Sequence, residues 1–119
     1  MEAPTPTSTD IAVFGGGPAG LMAAEVAIAS GARVDVFDSQ GSVGRKFLLA
    51  GKGGLNLTHS EPFAGFVQRY GAAAEWVRPW LQALDAEAIR DWARGLGVET
   101  LVGTSRRVFP ADLKAAPLL

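Results

Sequence analysis

Residues 11–38 read IAVFGGGPAGLMAAEVAIASGARVDVFD, and this stretch decides the fold. The apolar run 11–14 stops at three glycines, which suits a strand buried on both faces of a parallel sheet. Residues 18–30 place Leu21, Met22, Ala24, Ala27 and Ile28 at helical spacing, and Gly31 follows as a natural C-cap. Residues 33–38 then offer Val34, Val36 and Phe37 as a second strand, closing a βαβ unit about as short as such units come.

The turn between the first strand and the helix carries the chemistry. A pyrophosphate needs inward-pointing backbone N–H groups and the positive end of a helix dipole, and it must come close to the main chain. In Gly15-Gly16-Gly17-Pro18-Ala19-Gly20, Gly15 permits the tight turn, Gly17 lets phosphate reach the backbone, and Gly20 lets helix and strand pack closely. Pro18 opens the helix, where its missing N–H costs little. Gly15, Gly17, Pro18, Ala19 and Gly20 are therefore the expected cofactor-binding residues of this turn. Asp38 lies 18 residues past Gly20 at the end of the second strand, where a carboxylate accepts hydrogen bonds from ribose hydroxyls. Its charge disfavours a 2′-phosphate at that position, so NADP is not expected there, while NAD and FAD remain open.

Composition narrows the classes further. The 119 residues suffice for one domain or less, short for a finished doubly wound sheet, so a fragment is expected. Hydrophobic residues make up 48% and charged residues 19%, a globular balance. The formal net charge is -1 and the 11 basic residues are scattered, so neither nucleic acid nor an acidic membrane surface is an expected partner. There are no cysteines, which excludes disulfides, thiolate metal sites and a thiol relay within this segment. Residues 1–10 read as a flexible leader without the basic start of a signal peptide, and the apolar stretch around 21–29 is too short to span a bilayer, so a cytoplasmic location is expected.

Beyond Asp38 the residues 41–54 hold five glycines among Arg45, Lys46 and Lys52, a functional loop with one helical turn expected at 45–49. Arg45 and Lys46 can pair with phosphate. Residues 63–70, 74–84 and 85–96 have the pattern of three amphipathic helices, with Asp85 as N-cap and Pro79 kinking or restarting the middle one. Residues 98–102 and 107–109 suit two strands joined by a turn, with another helix starting near Asp112.

The glycine hexad, Gly44-Arg45-Lys46, the run GKGGLNLTH at 51–59 and RVFP at 107–110 together resemble the BaiN-like (YhiN-like) flavoprotein family. The resemblance implies an α/β, Rossmann-like FAD/NAD(P)-binding domain of glutathione-reductase-like type. Residues 11–119 would be its N-terminal portion, a βαβ unit followed by the glycine-rich loop and helices. It implies FAD as cofactor and NAD(P)H as electron donor of an oxidoreductase, with a small-molecule substrate and the remaining domains of the same polypeptide as partners. Gly15, Gly17, Gly20 and Asp38 would hold the ADP half of FAD with Arg45 and Lys46 beside it, and Gly53, Gly54, Asn56 and Thr58 would line the path toward the flavin ring. The cysteine that many members carry in this second glycine motif has no counterpart here, so no thiol role carries over.

Other residues divide between ordinary and functional readings. His59, the only histidine, suits a surface or helix-entry role better than a proton donor near the cofactor. Trp76, Trp80 and Trp92 fall in the apolar stripes and are expected in the core or at helix contacts. Arg106 and Arg107 are equally compatible with a cofactor contact and a solvated pair. No metal-ligand spacing or nucleophile elbow occurs, so no metal is expected and the catalytic residues stay unassigned. Two rival functions remain: an NAD-binding dehydrogenase domain and a non-catalytic nucleotide-binding module.

Overall fold

The computed structural model describes residues 8–119 and divides into two compact units between Leu49 and Ala50. Most of the predicted leader, residues 1–7, lies outside the described residues.

The first unit is built from β1 (Ile11–Phe14), α1 (Pro18–Ala29) and β2 (Val34–Phe37), with α2 (Arg45–Ala50) following. β1 and β2 pair in parallel from Ile11 opposite Val34 to Phe14 opposite Phe37, and α1 packs against both. The predicted βαβ unit therefore forms, within a residue of its expected bounds. The chain reverses at both ends of α1 through glycine. Gly15 sits at φ 107, a left-handed value that side chains resist. Gly31, at φ 92, closes the helix as its N–H donates to the Ile28 carbonyl (2.9 Å) while Ala32 N–H donates to Ala27 (3.2 Å), the Schellman pair of bonds. Below the strands the start of β1 is tied to the start of β2. The Asp10 carboxylate receives the Arg33 guanidinium at 2.9 and 3.1 Å and the Arg33 N–H at 2.9 Å, and the Thr9 hydroxyl donates to Asp35.

The expectation that β1 is buried on both faces is corrected: Ile11, Phe14 and Phe37 are all exposed, Phe14 to 81%. One helix covers one face of a two-stranded sheet, and Phe14 and Phe37 stack on each other instead, centroids 5.2 Å apart. Val26 and Ile28 leave α1 apolar on its outer side as well.

The second unit has an antiparallel sheet in the order β3-β5-β4, from β3 (Thr58–His59), β4 (Thr100–Val102) and β5 (Arg107–Pro110). The pairing of Thr58 with Val108 brings a strand that the sequence did not announce, because two residues are too few to show a period. Of the three helices α3 (Phe63–Gln68), α4 (Ala74–Ala83) and α5 (Ala86–Gly95), α5 packs against β3 and β4, and α3 packs against α4. Asp85 caps α5 as expected, its Oδ1 accepting Ala88 N–H at 2.8 Å. α4 runs on through Pro79 as one helix. Val67, Ala93 and Val108 are fully shielded, and Leu55, Ala74, Ala115 and Leu118 join them in the core.

Two expectations fail in this unit. Trp76 and Trp80 are exposed, at 70% and 58%, because they fall on the side of α4 opposite its buried residue Ala74. They meet each other edge to face, centroids 4.5 Å apart. Trp92 is half-buried. No α-helix starts at Asp112: its carboxylate accepts Lys114 N–H (2.9 Å), and Leu113 takes φ 64, so only a 3-10 turn forms at Ala116–Leu118.

A Cβ on Gly20 would collide with the Gly15 carbonyl oxygen, backbone that cannot step aside. Gly20→Ala is expected to cost at least ~3 kcal/mol, read as a lowered melting temperature. Val108→Ala, which empties a fully shielded site in the second unit, is expected to cost about 2–4 kcal/mol in denaturant unfolding.

Candidate functional site

Within the first unit the glycine turn, the loop after β2 and α2 enclose a cavity of about 620 Å³, lined by Gly16, Gly17, Pro18, Asp38, Ser39, Gln40, Arg45, Lys46 and Leu49. Gly17 is the N-cap of α1 and supplies no side chain, Pro18 follows it, and no acidic residue stands in the first turn. The first intrahelical bond is Leu21 N–H to the Gly17 carbonyl at 2.9 Å, so the Ala19 and Gly20 amides precede the helical ladder. That end of the helix carries positive dipole with no carboxylate of its own to offset it. A Cβ on Gly17 would meet nothing within 4 Å, so the space above the backbone there is open.

Asp38 holds the turn from the other side. Its Oδ2 accepts the Gly16 N–H at 2.7 Å and its Oδ1 accepts the Gln40 N–H at 2.8 Å. The Gly16 carbonyl in turn accepts the Gly44 N–H at 2.7 Å. Gly16 is thus clamped at both ends, and a Cβ there would lie 2.6 Å from Val43 Cγ1 and 2.8 Å from Asp38 Oδ2. The sequence reading gave Gly16, Ser39, Gln40 and Leu49 no role. The signal for Gly16 was present, since a third glycine with no turn or phosphate duty implies a close neighbour. Asp38-Ser39-Gln40 likewise has the composition of an Asx turn. The two N–H donors, Gln40 first and then Gly16, hold the Asp38 carboxyl below the usual carboxylate range. Each oxygen keeps a further lone pair for a hydroxyl donor. Arg45 is steadied by Gln40 Oε1 at 3.1 Å, and Lys46 stands beside it on the same wall.

The structure therefore brings Gly17, Pro18, Asp38, Arg45 and Lys46 around one cavity. Gly53, Gly54, Asn56 and Thr58 belong to the second unit, where each has a local task. Gly53 ends a 3-10 turn and Gly54 follows at φ 102. The Asn56 amide, oriented to satisfy its neighbours, donates to the Thr58 carbonyl (2.8 Å) and the Val108 carbonyl (3.3 Å). Thr58 is buried in β3 and borders a separate cavity of that unit. His59 Nδ1 accepts the Glu61 N–H at 3.1 Å, which leaves the proton of a neutral ring on Nε2. Arg106 takes φ 65 in the turn between β4 and β5, and Arg107 is exposed in β5. Among the described residues no group of three His, Asp or Glu side chains could hold a metal ion, and no helix is long and apolar enough to cross a membrane.

Asp10, Asp38 and Glu61 are all held low, by Arg33, by the two backbone amides and by Arg69. A carboxyl with a depressed folded-state pKa contributes stability above its unfolded value, and that contribution is lost as pH falls through the folded value. Melting temperatures are therefore expected to hold from pH 7 down to about pH 4 and to fall below it. Asp38→Asn is expected to lower the melting temperature at pH 7 and to shrink the further loss on acidification.

The family model described as HI0933-like protein Rossmann domain matches residues 9–119. The match bears out both the Rossmann class read from the βαβ stretch and the resemblance read from the glycine hexad, the GRK triplet and the two later motifs. No curated protein matches the chain. The chain belongs to the HI0933-like family and carries that family's Rossmann domain.

Proposed function

We propose that the first unit binds the ADP half of FAD in a cytoplasmic oxidoreductase that takes electrons from NAD(P)H and passes them to a small-molecule acceptor. The observation that carries this reading is the Gly16–Asp38 clamp beside an open helix N-terminus. The donor set fits the group. The open backbone at Gly17 and the first amides of α1 would take the pyrophosphate, and the spare lone pairs of Asp38 would take the adenosine ribose hydroxyls. Arg45 and Lys46, on the same wall at the start of α2, favour a ligand with more anionic length than a mononucleotide. Gln40 fixes the Arg45 guanidinium, so little ordering remains for the binding step. Bound FAD would supply the two-electron redox chemistry, and the residues named here supply binding, orientation and electrostatics.

The same reading extends to the uncovered apolar surface of this unit. Ile11, Phe14 and Phe37 on the strands and Val26 and Ile28 on α1 are the surfaces that a larger Rossmann sheet buries. Further segments of the same polypeptide are the proposed cover.

Gly17→Ala separates binding from folding. At φ -82 and ψ -175 the backbone accepts any residue and the new methyl meets no protein atom, so the melting temperature is expected to stay within about 1 °C. FAD affinity, measured by calorimetry, is expected to fall at least tenfold, as close phosphate approach is blocked. Arg45→Ala is expected to weaken FAD by about tenfold through loss of a charge-assisted contact. A flavin absorption band that bleaches with NADH or NADPH under anaerobic conditions supports the oxidoreductase. A protein that loads FAD and resists reduction is instead a binding module, and one that takes NAD and refuses FAD is a dehydrogenase domain.

A further inference from the structure

The second unit holds a cavity of about 500 Å³ that the dinucleotide reading does not use. Its volume lies in the range of small-molecule sites, roughly 300–1,000 Å³. It opens among β3, α3, α4 and the start of α5. One wall is aromatic, formed by Phe66 of α3, Tyr70 just after that helix and Trp80 of α4. Phe66 and Tyr70 lie 6.3 Å apart with rings tilted by 45°, and Trp76 packs edge-on against Trp80 from outside the cavity. Tyr70 and Trp80 remain exposed, at 45% and 58%, so part of each ring stays open beyond its contact with Phe66 or Trp76.

The charged lining has a single sign. Glu61, Asp85 and Glu87 border the cavity, and no lysine, arginine or histidine does. Arg69 pairs with Glu61, and Arg90 reaches Glu87 at 3.3 Å, each from outside the lining. Asp85 spends Oδ1 on the α5 cap and retains its second oxygen. Glu61 and Glu87 are partly compensated by these arginines, so an anion entering here would meet an acidic lining with no cationic side chain in it, and the spare oxygen of Asp85 is the carboxylate charge that no arginine offsets in these contacts. A cation would meet carboxylate oxygens and the electron-rich faces of the rings together, the combination by which aromatic cages hold alkylammonium groups. Aliphatic side chains complete the walls and would cover an apolar body attached to such a charge.

We propose that this cavity binds a small organic cation with an apolar body, an alkyl- or arylammonium compound. The cation sits against Trp80 and Tyr70, and the carboxylates of Asp85 and Glu87 complement its charge. The site lies wholly in the second unit and does not depend on the dinucleotide reading.

The experiment titrates the 119-residue chain with phenyltrimethylammonium, with neutral benzyl alcohol and with benzoate, in low-salt buffer, by calorimetry and tryptophan fluorescence. The expected result is saturable binding of the cation, at least about tenfold tighter than the alcohol, with no binding of benzoate. Trp80→Leu, at an exposed position, is expected to weaken the cation about tenfold, and Glu87→Gln about threefold. Gly17→Ala is expected to leave this titration unchanged, which keeps it separate from FAD binding. No saturation by the cation up to about 10 mM overturns the proposal. So do equal affinities for the cation and the alcohol, which would mark an apolar packing surface for a protein segment instead.

Discussion

The first unit depends on one carboxylate. Asp38 joins the loop after β2 to the middle glycine of the turn after β1, and Gly44 closes the same contact from the carbonyl side of Gly16. These short bonds join the strand ends to the loop, and two of the residues that make them, Gly16 and Asp38, border the cavity. The clamp also explains an economy in the hexad. Gly15 serves the left-handed turn, Gly20 the close approach of α1, and Gly16 the approach of Val43 and Asp38, while Gly17 has neither a left-handed backbone nor a close neighbour. Three of the glycines answer to the fold, and the fourth is the one available to a ligand.

The two units differ in how they are stabilised. The second unit closes a core around Val67, Ala93 and Val108, with α5 packed on the short strands and α3 packed on α4. The first unit buries Ala24 and the backbone of Gly16 and Gly44 but leaves Phe14, Val26, Ile28 and Phe37 in solvent. Its order comes instead from backbone geometry and directed polar bonds: the parallel ladder, the Schellman closure of α1, the Asp10–Arg33 pair and the Asp38 clamp. A site built on backbone amides gains from this, since amides fixed by the main chain need no reordering when an anion arrives. Apolar surface left over on the same strands and helix is the mark of an element designed to be covered on both sides.

By itself the sequence determined the βαβ unit, the glycine turn, the position of Asp38, the Asp85 cap and the three helices of the second unit. Each of these is a local matter: a period of apolar residues, a glycine where side chains are excluded, a carboxylate one turn from free amides. Tertiary structure alone decided what these elements meet. The double duty of Asp38 could not be read from its spacing, because the amide it accepts belongs to a residue 22 positions away. The strand at Thr58 and His59 exists only through its partner β5, and two residues carry no period of their own. Trp76 and Trp80 show the same limit. Their helical spacing was legible, but which side of α4 faces the core was set by where Ala74 packs, and the pair came out on the solvent side. Local conformation is written in short-range sterics and hydrogen bonding, whereas burial is a property of neighbours that only the folded chain supplies.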